Sequence, residues 1–141
     1  DWHDFVDLAP AGSLPQTRTE DLVQAMQLIT GRPLSAVPPT RWVWTELLHQ
    51  EIVEHVQAVA VELLTRPEFS SPARVTAVTA RALEVDRSHE GLWCAHLEAF
   101  IRTGDTHRLG SALGSAQIHL DGFDLAPSTV ELLQRASRAL A

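Results

Sequence analysis

The sequence predicts an all-α fold, a tetratricopeptide-like stack of about seven antiparallel helices with one long central helix. Apolar residues recur at intervals of three and four along most of the 141 residues, which is the spacing of one face of an α-helix. No stretch shows the alternation of apolar and polar residues that is typical of a β-strand. Two stripes end at Asp86 and Asp121, 35 positions apart. A period of about 34 residues is typical of helix pairs that stack as a right-handed superhelix.

The clearest helix pair lies between Glu84 and Gly122. Gly104 can adopt the left-handed conformation that ends a helix, and either Asp105 or Thr106 can cap the helix that follows. A connection this short requires the two helices to be antiparallel. The apolar stripe of the first helix is Trp93, Leu97, Phe100 and Ile101, and that of the second is Leu109, Ala112, Leu113, Ala116 and Leu120.

Two glycines, Gly110 and Gly114, lie inside the second helix of this pair. Glycine in a helix interior costs about 1 kcal/mol relative to alanine. We therefore expect both glycines to lie where a larger side chain would clash with a neighbouring helix.

Two shorter helices are predicted in the first part of the chain. One opens the sequence with Phe5 facing inward. The other is capped by Thr17 or Thr19, whose hydroxyl can accept a hydrogen bond from an N–H of the first turn, and it ends at Gly31. The connector that follows, residues 32–39, contains three prolines and interrupts the helical pattern.

One long helix is predicted from Thr40 to Arg66, where Pro67 ends it. A helix of this length spans roughly 40 Å and is expected to support the shorter helices. Its apolar stripe is Trp44, Leu48, Ile52, Val56, Val59 and Leu63.

Two more helices are predicted to open at a proline. Ser71–Pro72 combines a capping residue with proline at the first helical position, and this helix runs to about Val85. The last helix opens at Pro127–Ser128, and Glu131 completes the pattern of a capping box. Its predicted inner face is Val130, Leu133, Ala136 and Leu140.

Composition and charge argue against several classes of protein. The formal net charge of −7 repels nucleic-acid phosphates, so we do not expect the chain to bind DNA or RNA directly. No run approaches the roughly 20 apolar residues that a membrane span needs, and no membrane insertion is expected. Cys94 is the single cysteine, predicted to be a buried, unreactive thiol and compatible with a reducing cytoplasm. The chain lacks an initiating Met, and we interpret residues 1–141 as one domain of a longer protein.

No pattern of residues predicts catalysis, a bound metal or a cofactor. His49 and His55 are six positions apart and lie on different faces of the long helix, whereas zinc proteases place two histidines four apart. Glu51 and His55 share a face, and a solvated acid–histidine pair is the favoured interpretation. Cys94 lacks a convincing base near it in sequence, and no nucleophile elbow is present. The sequence therefore predicts a protein that is not an enzyme.

Two groups of residues are candidate binding sites. Arg41, Trp42 and Trp44 form a candidate interaction surface, because both tryptophans cannot face one core and these residue types are common at interface hot spots. The alternative is that Trp42 packs beneath the connector 32–39. A candidate ligand pocket between helices is lined by Trp93, His96 and Phe100.

Four passages give the chain a resemblance to the bacterial transcriptional activator domain, the helical module that follows the winged-helix domain in actinobacterial regulators. They occur in the order of the family's segments and span nearly the whole chain. They are DWHDF at 1–5, GRPL at 31–34 followed by WVW at 42–44, VDRSHEGLW at 85–93 followed by TGD at 103–105, and LAPSTVEL at 125–132. The resemblance implies that the module packs on a DNA-binding domain of the same protein, mediates homodimerisation or contacts RNA polymerase.

The function expected from the sequence is that of a non-catalytic helical module for protein interaction and regulation, within a transcriptional regulator. Two alternatives remain open. The chain is a small-ligand sensor that uses the pocket at Trp93, His96 and Phe100, or it is the cytoplasmic interaction module of a membrane-anchored multidomain protein.

Overall fold

The computed structural model describes residues 2–31 and 43–141, with side chains described for 2–31 and 46–141, and every regular element within them is helical. The predicted all-α class is confirmed for this part of the chain. The α-helices are α1 (Trp2–Leu8), α2 (Thr19–Gln27), α3 (Val43–Leu64), α4 (Pro72–Val85), α5 (Glu90–Thr103), α6 (Thr106–His119) and α7 (Pro127–Leu140). Short 3₁₀-helices span Ala11–Gln16 and Pro67–Phe69.

One hydrophobic core runs from Phe5 in α1 to Ala136 in α7. The α3 helix contacts α2, α4 and the 3₁₀-helix Ala11–Gln16, so its predicted role as a support for shorter helices agrees with its packing. Its buried stripe contains four of the predicted residues, Ile52, Val56, Val59 and Leu63. Within the described ranges, no helix combines enough length and apolar character to cross a lipid bilayer.

The end of α3 differs from the prediction by two residues. The helix ends at Leu64, and Arg66 is extended, with φ −85° and ψ 128°. The proline at position 67 explains the early end, because its ring disfavours the helical conformation of the residue before it. The predicted start at Thr40 lies outside the described residues.

The predicted cap of α2 is wrong. Its N-cap residue is Arg18, which makes no side-chain capping bond. The Thr17 hydroxyl instead donates to the carbonyl oxygen of Ser13 at 2.8 Å. Thr19 is already helical, and its hydroxyl donates to Oε1 of Glu68 at 2.6 Å. Both threonines therefore tie the start of α2 to neighbouring segments rather than to its own free N–H groups.

The predicted capping box of α7 is also wrong, because its acceptor comes from another helix. The N-cap residue is Ala126, and neither Ser128 nor Glu131 caps the helix. Oε1 of Glu90, in the first turn of α5, accepts hydrogen bonds from the Thr129 hydroxyl and from the backbone N–H of Ala126, the latter at 2.9 Å. These bonds, first that of Thr129, hold the pKa of Glu90 below its ordinary value.

The buried face of α7 is rotated from the predicted one. Thr129, Leu132 and Ala136 are buried, whereas Val130 is 42% exposed and Leu140 38% exposed. The hydrogen bond between Thr129 and Glu90 explains this orientation, since it turns the face that carries Thr129 toward α5. Only Ala136, with a partly buried Leu133, is retained from the predicted inner face.

The turn between α5 and α6 forms as predicted. Gly104 has φ +72° and donates its N–H to the carbonyls of Phe100 and Ile101. Asp105 caps α6, because its Oδ1 accepts a hydrogen bond from the backbone N–H of Arg108 at 3.1 Å. The left-handed glycine and the acidic cap together explain why two helices can be joined by so few residues.

The predicted crowding at Gly110 and Gly114 is wrong. A Cβ atom at Gly110 would lie 3.8 Å from Cδ2 of Leu140, which is an ordinary van der Waals contact, and none would lie within 4 Å at Gly114. Helix packing therefore does not require glycine at either position.

The last four α-helices each contain 14 residues, and α4 and α6 begin 34 positions apart, at Pro72 and Thr106. Ser71 precedes α4 as its N-cap residue, as predicted, although its hydroxyl makes no capping bond. The α5 helix contacts α4, α6 and α7. This position of α5 brings side chains of three helices together.

Candidate functional site

The three residues predicted to line a pocket form a continuous aromatic row on α5. Trp93, His96 and Phe100 are spaced at i, i+3 and i+7, which places them on one face of the helix. The ring centroids of Trp93 and His96 are 5.9 Å apart, and those of His96 and Phe100 are 4.9 Å apart, with both pairs edge to face. Such contacts stabilise a fixed arrangement of the rings.

The row is the floor of an open depression that we call the α4–α6 groove. It consists of two cavities of about 240 and 250 Å³, which share Trp93, His96 and Ser115. One wall is Ala80, Leu83 and Glu84 of α4 with Arg87 of the following turn. The other wall is Arg108, Ser111, Ala112, Ser115 and His119 of α6.

The groove is open because its aromatic floor lies between short side chains. Ala80 on one wall and Ser111 and Ser115 on the other leave open space beside the row, although Trp93 and Phe100 themselves are only 5% and 8% exposed. The Trp93 indole is fixed at one end, since its Nε1–H donates to the carbonyl oxygen of Arg87 at 2.7 Å. The His119 ring stacks on the indole at a centroid distance of 6.2 Å and an interplanar angle of 10°.

His96 is a neutral hydrogen-bond acceptor in the floor. The hydroxyl proton of Thr79 goes to the carbonyl oxygen of Val75, 2.8 Å away, because a carbonyl can only accept. The Nδ1 atom of His96, 2.7 Å from the same hydroxyl oxygen, then supplies the proton of the second bond. Burial lowers the pKa of His96 to about 4, so Nε2 carries no proton near neutral pH. Within the described residues, Nε2 makes no hydrogen bond, and it remains available in the groove.

Two exposed arginines lie at the two ends of the groove. The Arg87 side chain has no hydrogen bond or ion pair to any described residue. The Nε of Arg108 lies 3.6 Å from Oδ2 of Asp105, in a pair that is largely open to solvent. Glu84 is the one acidic residue among those that line the two cavities. The residues that line the two cavities therefore carry two arginines against one glutamate, on a chain whose formal net charge is −7, and Asp105 beside the groove partly offsets the charge of Arg108.

The predicted interaction surface is not described by the structure. Arg41 and Trp42 lie outside the described residues, and Trp44 is in α3 without a described side chain. The alternative, that Trp42 packs beneath the connector 32–39, falls in the same part of the chain. Both therefore stay predictions.

His55 bonds to a backbone carbonyl instead of pairing with Glu51 as predicted. The Nε2 atom of His55 lies 2.6 Å from the carbonyl oxygen of Ala9, which is the acceptor of this bond. The same ring packs edge to face on Trp2 and Phe5, at centroid distances of 5.4 and 5.2 Å. His55 thus attaches α1 to α3. In the described ranges, no three His, Cys, Asp or Glu side chains are grouped as metal ligands.

Cys94 is half-buried rather than buried, and its Sγ lies 3.3 Å from the Thr129 hydroxyl oxygen. The groove walls were not predicted from the sequence, although α6 carries a recognisable signal. Arg108, Ser115 and His119 recur at i, i+7 and i+11, which marks a polar stripe beside the apolar one.

Comparison of the chain with protein-family models, curated proteins and solved structures returned no match. The resemblance to the bacterial transcriptional activator domain therefore stays a prediction that rests on the residues quoted for it.

Proposed function

We propose that the chain is a non-catalytic interaction module that binds an extended segment of a partner protein in the α4–α6 groove. The observation that carries this proposal is the continuity of the two cavities across Trp93 and His96. A groove between helices that is lined by aromatic and polar side chains is typical of peptide-binding surfaces.

The dimensions of the groove favour a peptide segment. Arg108 and His119 mark its ends along α6, and the helical rise places them about 16 Å apart. An extended chain advances about 3.3 Å per residue, so about five residues fill this length. Each cavity is smaller than the roughly 300 Å³ at which ligand pockets usually begin, and both are open along their length. A small-ligand sensor, the second candidate, would use the same aromatic floor.

The proposed setting comes from the family resemblance and from helix spacing. The 34-residue offset of α4 and α6 supports stacking of the pairs α4–α5 and α6–α7 as a superhelix. By the resemblance, the module belongs to a cytoplasmic transcriptional regulator. Its partners would then be another domain of the same protein, a second copy of the chain or RNA polymerase.

A library of random short peptides tests the proposal. Peptides are selected on the unmodified chain and then measured against Ala80→Trp, which fills the groove from an exposed wall position without disturbing the core. The matched control is Ala77→Trp, an exposed position on the same helix that does not line the cavities. We expect Ala80→Trp to abolish binding and Ala77→Trp to leave it unchanged, with equal helical circular dichroism. A selection that yields no peptide sensitive to Ala80→Trp would refute the proposal.

A further inference from the structure

We propose that the α4–α6 groove recognises an acidic partner segment, with carboxylates on Arg87 and Arg108 and a main-chain N–H donated to His96. The inference rests on the proposed function and adds the chemistry of the occupant. Three properties of the groove carry it: the two terminal cations, the acceptor in the floor and the aromatic surface between them.

The cations have unused hydrogen-bonding capacity. Arg87 makes no side-chain bond within the described residues, and the ion pair of Arg108 with Asp105 engages Nε at 3.6 Å. The terminal nitrogens of both guanidinium groups are therefore free to bind a carboxylate, for which their planar geometry is suited. Glu84 offsets one of the two charges and disfavours an acidic group next to it. Two separated carboxylates, one at each arginine, fit this charge pattern better than a single cluster.

Because the floor of the groove presents a hydrogen-bond acceptor, Nε2 of His96, the bound segment must place a donor between its two carboxylates. The Nε2 atom of His96 is unprotonated, because Nδ1 carries the proton that bonds to Thr79. A carboxylate cannot donate a hydrogen bond, so the group above His96 must carry an N–H or an O–H. Every non-proline residue of an extended segment offers a main-chain N–H, which meets this requirement without fixing the side chain.

The aromatic row adds a small apolar component. Phe100 and Trp93 flank His96 and line the cavities with 8% and 5% of their surfaces exposed, which leaves a limited apolar contact for one side chain of the segment. Arg87 lines one cavity and Arg108 the other, so the two carboxylates lie near opposite ends of the groove. The expected motif is an apolar residue between two acidic residues that are about four positions apart.

The peptides selected from the random library provide the probes. Among the selected peptides, those that do not bind the Ala80→Trp variant should be enriched in Asp or Glu at two positions about four residues apart. Replacing both acidic residues of a selected peptide with the corresponding amides should weaken binding at least fivefold in titration calorimetry. High salt should remove most of this difference, because the contacts with the arginines are exposed to solvent.

Variants of the chain assign the contacts. Arg87→Gln and Arg108→Gln should each weaken binding of the acidic peptide about two- to fivefold, the range of exposed ion pairs, and leave the amide peptide unaffected. Arg138→Gln, an exposed position on α7 outside the groove, is the matched control. His96→Phe should weaken both peptides, and His96→Gln should restore part of the loss, because the glutamine amide oxygen can accept the same N–H.

The possible outcomes separate this inference from the proposed function. Neutral or basic peptides that depend on Ala80 but not on Arg87 or Arg108 would overturn the acidic inference and leave the interaction module standing. If phenylacetate bound as tightly as the peptides, the occupant would be a small organic acid, and the inference of a partner segment would be overturned. A dimer disrupted by Ala80→Trp would make a second copy of the chain the occupant, which also overturns the inference. A library without any groove-dependent peptide would remove both proposals.

Discussion

Arg66 attaches the segment before α2 to the end of α3. Its guanidinium group donates to the carbonyl oxygens of Thr17 at 2.6 Å and Leu14 at 2.9 Å, and to the Thr19 hydroxyl at 3.0 Å. It also forms an ion pair with Glu62, and only 13% of its side chain is exposed. One guanidinium group therefore satisfies acceptors on Leu14, Thr17 and Thr19. Lysine, with a single side-chain nitrogen, could not bond to all of them in this geometry.

Arg66→Ala is expected to lower the free energy of unfolding by about 2–3 kcal/mol, because it leaves partly buried carbonyl groups without donors. Urea denaturation followed by circular dichroism measures this loss as a lower midpoint at an unchanged slope. The control is Arg138→Ala, an exposed position on α7, which should change the free energy by less than about 0.5 kcal/mol. Equal effects of the two substitutions would contradict the proposed role of the Arg66 contacts.

His96 should make stability depend on pH in the acidic range. Its pKa is about 4 in the folded chain, against roughly 6.5 when unfolded. The unfolded chain therefore binds more protons between pH 4 and 6.5, and stability falls as the pH decreases through this window, by up to about 3 kcal/mol. His96→Gln removes this contribution. Urea midpoints measured from pH 7 to pH 4 should decline less steeply for the variant, and parallel curves would argue against the buried neutral histidine.

The helix ends show which interactions a local pattern can specify. The α5–α6 turn could be predicted because all of its determinants lie within a few residues: Gly104 is left-handed and Asp105 bonds to the N–H of Arg108. The first residue of α7, Pro127, was predicted as well, but its cap could not be, because the acceptor, Glu90, comes from α5. The mistaken inner face of α7 has the same cause, since a contact between helices sets the rotation.

Gly114→Ala is expected to stabilise the chain by about 0.5–1 kcal/mol. The residue is inside α6, a Cβ would meet nothing within 4 Å, and alanine favours the helix more than glycine does. Thermal unfolding should show a higher midpoint. Gly122→Ala is the control, because φ of +80° at Gly122 strains any other residue, and it should lower the midpoint. A lower unfolding midpoint for Gly114→Ala would instead support the steric clash predicted from the sequence.

At the scale of the whole molecule, one core connects α1 to α7. The His55 ring packs on Trp2 and Phe5 at one end, and Leu132 and Ala136 of α7 are buried at the other. No break in this core separates the helices into independent parts within the described residues. Folding should therefore be cooperative along the chain.

The expected outcome is a single two-state transition in urea. Far-UV circular dichroism reports all helices, whereas tryptophan fluorescence reports sites that include Trp93, which is 5% exposed in α5. The two transitions should coincide in midpoint and slope. A fluorescence change that precedes the loss of helix would show that part of the structure unfolds on its own.

The same scale explains how much of the groove was predictable. Trp93, His96 and Phe100 share a face by helical spacing alone, so the floor follows from the sequence. The walls require the packing of α4 and α6 against α5, and most of the wall residues, such as Ala80 and His119, are far from the floor in sequence. The acceptor character of His96 depends on Thr79, 17 positions away. Apolar periodicity predicts which residues share a face of one helix, whereas this groove is formed by the faces of three helices, α4, α5 and α6.

The bond from Glu90 to the start of α7 has a consequence for the order of assembly. During synthesis, the carboxylate emerges 36 positions before the N–H that it will receive. A nascent α7 has proline at its first position but no side-chain cap of its own, and it gains one only when α5 is docked. A peptide of residues 127–140 alone should therefore be mostly coil in water, and α7 should be the last helix of the chain to fold.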